Sequence, residues 1–95
     1  MLQTGSLTIG IDVTRINTAE LPIQNRLIVK AKKENTGKVY IGFHPGITAG
    51  TEDENDGFEL DAKDGVTINN LGGLDINEIY FIATEADQKI SFINL

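Results

Sequence analysis

Ninety-five residues make one domain with room for one core, and fourteen acidic against eight basic side chains leave a net charge of −6. That balance argues against nucleic-acid binding over the whole surface, which depends on Lys and Arg neutralising phosphates. The absence of cysteine removes disulfides, thiolate metal sites and cysteine nucleophiles together.

The start, Met1-Leu2-Gln3-Thr4-Gly5, has neither the basic region nor the apolar run of a signal peptide. No stretch approaches the roughly 18 apolar residues that a spanning helix needs. The expectation is a protein made soluble inside a cell, with no membrane partner. Apolar residues run through the chain except at about 48–57, so flexibility is expected only there and at residues 1–5.

Leu7, Ile9, Ile11 and Val13 alternate with Ser6, Thr8, Gly10, Asp12 and Thr14, which predicts one continuous strand with a buried face. The segment from Asn17 to Pro22 interrupts it, because proline fixes φ and withholds an N–H, and reads as a connection or sheet edge. A second strand is predicted at 26–32, with Leu27, Val29 and Ala31 inward and Arg26, Lys30 and Lys32 outward. Glu34-Asn35-Thr36-Gly37 reads as a tight hairpin turn, since Asn and Gly tolerate positive φ. Val39, Ile41 and Phe43 form the return strand, ended by His44-Pro45-Gly46.

Phe58 and Leu60, a turn around Lys63-Asp64-Gly65, then Val66 and Ile68 predict a second hairpin. After a break at Gly72-Gly73, the run Ile79-Tyr80-Phe81-Ile82-Ala83 is apolar on both faces, as in a central strand. A last strand spans 89–93. Seven short antiparallel strands with no helical period predict an all-β domain, either a β-sandwich or a Greek-key or jelly-roll-like barrel.

Little in the chain points to catalysis. His44 is the only histidine, has no second imidazole for a metal site, and reads as a turn residue. The stretch Thr51-Glu52-Asp53-Glu54-Asn55-Asp56-Gly57 holds oxygen ligands suited to Ca²⁺, but its glycine misses the helix-loop-helix calcium spacing and no glutamate closes the loop, so it reads as a charged loop. Gly46, Gly50 and the Gly72-Gly73 pair lack the lysine and following helix of a phosphate loop. The six aromatics all fall on predicted strands beside aliphatics, which reads as core packing, and no tryptophan supplies a sugar-binding platform. No cofactor is implied and no enzyme is expected.

Charge is divided along the chain. Residues 1–38 hold Arg15, Arg26, Lys30, Lys32, Lys33 and Lys38 against three acids, a net of +3, and residues 39–95 hold Lys63 and Lys89 against eleven, a net of −9. Two faces of opposite potential would steer contacts between copies or onto a charged partner; two merely solvated faces are the alternative.

From Asn35-Thr36-Gly37-Lys38-Val39-Tyr40-Ile41-Gly42 the sequence resembles a group of small tailed-bacteriophage structural proteins. The shared order is a Leu-Ile-Val-Lys-Ala strand (27–31), this Asn-Thr-Gly segment, a Gly/Thr loop (47–50), Gly-Phe-x-Leu (57–60), Val-x-Ile (66–68), Ile79-Tyr80 and a closing strand (90–92). Residues 51–56 depart from the pattern as an acidic insertion. The resemblance implies a virion component without catalytic residues, made in the host cytoplasm. Its expected place is the capsid surface, as a decoration (cement) protein bound to the major capsid protein and to copies of itself. A tail or head-tail component and an adhesin-like carbohydrate-binding module are the alternatives. The residues expected to face the partner are Arg15, Arg26, Lys30, Lys32, Lys33, Asn35 and Lys38.

Overall fold

A computed structural model describes residues 3–16, 26–69 and 78–95. Among them are eight strands: β1 (Gln3–Ile9), β2 (Thr14–Arg15), β3 (Arg26–Ala31), β4 (Val39–Gly42), β5 (Phe58–Leu60), β6 (Gly65–Asn69), β7 (Tyr80–Ala83) and β8 (Gln88–Asn94). They form two antiparallel four-stranded sheets, sheet A in the order β1-β8-β3-β6 and sheet B in the order β2-β7-β4-β5. Both sheets turn one face into a common core: Ile9, Leu27, Val29, Ala31 and Ile90 from sheet A meet Val39, Ile41, Leu60, Phe81 and Ala83 from sheet B. The molecule is a β-sandwich, and its single-face strands carry the alternation that two packed sheets require.

The pairing follows a simple rule. First pairs with last, second with seventh, third with sixth and fourth with fifth, so the chain is one long two-stranded ribbon folded between β4 and β5. The ribbon is rolled so that its successive pairs alternate between the sheets, and the ladders β3–β8 and β4–β7 close each sheet. This is the wiring of a jelly roll.

That wiring corrects several expectations. The strand read across residues 6–14 is two strands in different sheets: after Ile9 the chain bends, the Gly10 carbonyl accepts from the Ala83 N–H of sheet B at 2.9 Å, and β2 continues beside β7. Ile11, expected inside, is 64% exposed on this crossing. Neither predicted hairpin exists, because β3 and β6 lie in sheet A while β4 and β5 lie in sheet B. Alternation records that a strand has a buried face, but both sheets offer one, so it cannot say which sheet the strand joins.

Positive φ falls at Gly50, Glu52, Lys63 and Asp87 among the described residues, so the turn at 34–37 does not use the left-handed conformation expected of Asn35 and Gly37. Residues 3–5, expected to be flexible, sit in a regular ladder with β8. The central placements expected of 79–83 and the inward set Leu27, Val29 and Ala31 match the structure, since β7 lies between β2 and β4 and all three β3 residues are fully buried. The connection read at Asn17 to Pro22 and the break at Gly72-Gly73 lie outside the described residues.

Two of the six aromatics are on the surface: Phe43 is 59% exposed just past the end of β4, and Phe58 is 60% exposed on edge strand β5. Tyr40 is buried at 4% exposure yet is outside the core cluster, because alternation turns it to the outer face of sheet B. It is covered there by the loop at 43–57. Gly50, at φ 76°, leaves space where a Cβ would stand 3.2 Å from the Tyr40 hydroxyl, and a Cβ at Gly57 would lie 2.8 Å from that of Tyr40.

Candidate functional site

Sheet A has an unusual charge content for so acidic a chain. Its four strands contain Arg26, Lys30 and Lys89 and no Asp or Glu. With Leu27, Val29, Ala31 and Ile90 turned into the core, period two places these cations on the outer face. Register sets Thr4, Ile93, Ile28 and Thr67 in one row across that face and Ser6, Ser91, Lys30 and Gly65 in the next. Arg26 stands opposite Asn69, and Lys89 opposite Thr8. The result is a surface of hydroxyls and two aliphatics with three cations that make no ion pair among the described residues.

The densest run of acidic groups belongs to sheet B. The loop at 43–57, which joins two strands of sheet B, exposes Glu52, Asp53 and Glu54. It is closed by its own groups. Thr48 N–H donates to Asn55 O at 2.8 Å and Gly57 N–H to Thr48 O at 2.9 Å, while the hydroxyls of Thr48 and Thr51 bond to each other. The Asp56 carboxylate accepts from the N–H groups of Gly50 (2.8 Å) and Glu52 (3.1 Å), and Asp53 from that of Asn55 (2.8 Å). Two of the carboxylates that invited comparison with a calcium loop, Asp53 and Asp56, therefore pin the backbone. Among the described residues no group of three or more His, Asp or Glu is placed to hold a metal ion.

Beside that loop, Tyr40 donates to Glu59 Oε1 at 2.7 Å, and the Lys38 ammonium lies 3.4 Å from the same oxygen and 3.6 Å from Asp61 Oδ1. The hydrogen bond to Glu59 pushes the Tyr40 hydroxyl up to about 12, with burial adding to it. The same bond, with Lys38, holds the Glu59 carboxyl below the usual carboxylate range, although partial desolvation opposes it. Lys38 is raised chiefly by its hydrogen bond to Glu59. The network ties β4 to β5 and occupies Lys38.

The Asn-Thr-Gly segment is a clasp between the sheets. The Asn35 side chain copies a strand neighbour, donating to Lys89 O and accepting from Lys89 N–H, both at 2.8 Å. Gly37 N–H donates to the buried Gln88 Oε1 at 2.8 Å, the Thr36 hydroxyl to Glu85 Oε2 at 2.8 Å, and Lys38 N–H to Thr84 Oγ1 at 3.1 Å. These bonds fasten the β3–β4 crossing to the β7–β8 crossing. Replacing Asn35 with Ala should cost about 1–3 kcal/mol, the worth of two hydrogen bonds, seen as a lower melting temperature. Asn35→Asp should also destabilise, because it sets a carboxylate oxygen against the Lys89 carbonyl; an Asn35→Asp variant as stable as the parent would contradict the clasp.

The seven residues expected to face a partner are thus divided. Arg26 and Lys30 share the outer face of sheet A, and Lys32 and Lys33 follow directly after β3. Asn35 is engaged in the clasp, and Lys38 in the sheet B network. Arg15 is in sheet B, its guanidinium carbon 5.9 Å from the centre of the Tyr80 ring, where an open groove is lined by Val13, Thr14, Arg15, Pro45 and Tyr80. Sequence reasoning missed Lys89, which it counted with the acidic half; the outward phase of its strand was the available sign. His44 lies at the exposed end of the 44–46 turn, with Nδ1 accepting from Gly46 N–H at 3.2 Å. No protein-family model, curated protein or solved structure matches the chain.

Proposed function

We propose that this chain is a virion structural protein of a tailed bacteriophage that decorates the outside of the head and reinforces it, with the outer face of sheet A turned to the shell. The observation that carries the reading is the charge content of that face: three cations and no carboxylate in four strands of a protein with net charge −6. A cationic surface is complementary to an acidic protein surface, and charge complementarity sets orientation and speeds encounter. The sequence resemblance supplies the biological setting. Two sheets clasped at their crossings also suit a part that must hold its shape under many repeated contacts. The reading assigns no reaction to the chain, takes the major capsid protein as partner, and places the mature protein on the capsid surface.

Purified protein is expected to bind heads that lack it and to raise the temperature at which they release their contents. Heads that neither bind it nor gain heat resistance would refute the proposal. The groove lined by Val13, Thr14, Arg15, Pro45 and Tyr80 favours a second reading, sugar binding by an adhesin-like module, because an aromatic ring in an open groove offers a stacking surface. Tyr40 has no part in it, being covered by its loop. A glycan-array signal lost on Tyr80→Ala would favour this second reading.

A further inference from the structure

We infer that β1 is a pairing edge through which two copies of this chain join antiparallel, making one continuous sheet from both sheets A. A strand at the edge of a sheet offers a row of unpaired N–H and C=O groups, and isolated proteins usually blunt such edges by shortness, charge, proline or a bulge. The edges of sheet B follow that custom, since β2 has two residues and β5 has three, including Glu59. β1 does not. It has seven residues, Gln3-Thr4-Gly5-Ser6-Leu7-Thr8-Ile9, with no charge and no proline, and its ladder to β8 runs without a break from Gln3↔Asn94 to Ile9↔Gln88. Among the described residues it is paired on that side alone.

The occupant follows from the strand's own pattern. Centred on Ser6, an antiparallel pair of β1 strands uses all seven residues: Ser6 faces Ser6 of the second copy, Thr4 faces Thr8, Gly5 faces Leu7, and Gln3 faces Ile9. No like charges oppose one another, and the outer face gains hydroxyl-bearing neighbours of the kind that stabilise cross-strand pairs. The contact is isologous, so it closes at two copies and does not propagate. The other edge of sheet A, β6, is shorter and directly follows the charged pair Lys63 and Asp64. This inference does not depend on a phage setting, and its failure would leave the decoration reading standing.

Sedimentation of the full chain over a range of concentrations should show a monomer–dimer equilibrium. Ser6→Lys, which sets two ammonium groups opposite each other on an exposed position, should weaken the dimer by about tenfold or more while leaving the far-ultraviolet spectrum and melting of the monomer unchanged. Two double variants test the register. Thr4→Glu with Thr8→Lys pairs opposite charges across the axis and should dimerise as well as the parent; Thr4→Lys with Thr8→Lys should not. Thr67→Lys on β6 should have no effect. A parent chain that is monomeric at every concentration, a dimer untouched by Ser6→Lys, one broken by Thr67→Lys, or equal loss in both double variants would each overturn the inference.

Discussion

Phe81→Ala should lower stability by about 3–5 kcal/mol, the usual cost of emptying a large aromatic site in a core. Phe81 is the largest fully buried side chain among the described residues; it sits on β7 between β2 and β4, opposite Thr14 and Ile41. The cavity would open between the sheets, where a ladder on each side keeps the backbone from collapsing into it. Domains of this size hold about 5–15 kcal/mol in all, so the variant would lose about a fifth of its margin or more and melt tens of degrees lower, or fail to fold. The same chemical change at Phe58, 60% exposed on the edge strand, should move stability by no more than about 0.5 kcal/mol. Chemical denaturation of both variants decides the matter, and similar losses at the two sites would mean that the core is not where the sandwich puts it.

Reversing all three cations of sheet A, as Arg26→Glu, Lys30→Glu and Lys89→Glu together, should weaken binding to phage heads on the order of a hundredfold, taking roughly 1 kcal/mol for each exposed charge contact. The side chains point away from the core and form no ion pair among the described residues, so the far-ultraviolet spectrum should stay that of the parent. Replacement of the same three by Gln should cause a smaller loss, because attraction is removed without repulsion being added. Parent binding should weaken as salt rises, and the triple-Gln protein should lose much of that dependence. Heads that bind the triple-Glu protein as tightly as the parent would move the contact to another face.

Local rules read from the residues went as far as local chemistry reaches. β3 was legible because each inward position is aliphatic and each outward one polar or half-buried, and β7 because apolar residues on both sides mark an inner strand. The two hairpins were not. A turn such as 34–37 reports that the chain changes direction, whereas its destination depends on Gln88 and Lys89, some fifty positions away. The aromatics misled for a similar reason: Phe58 alternates with Leu60 as a half-buried strand would, and only the order of strands in sheet B makes Phe81 central and Phe58 marginal. The basic surface was half legible. Arg26 and Lys30 were read as outward and together, but their third member comes from β8, and Arg15 and Lys38 belong to the opposite sheet.

The ribbon wiring also governs the order in which the molecule can be completed. β8, the last of the eight strands to leave the ribosome, takes an inner place in sheet A between β1 and β3. Until it emerges, β1 has no ladder among the described strands, and β3 has only β6. The earliest closed unit is the turn-back at β4 and β5, whose partners are neighbours along the chain, and pairing then proceeds outward toward both ends. Such nested long-range pairings place a domain among the slower folders, in milliseconds to seconds. In a growing chain of this kind the uncharged strand β1 waits for its partner until β8 emerges, which makes that interval the time when chains crowded on one messenger are most prone to pair with each other.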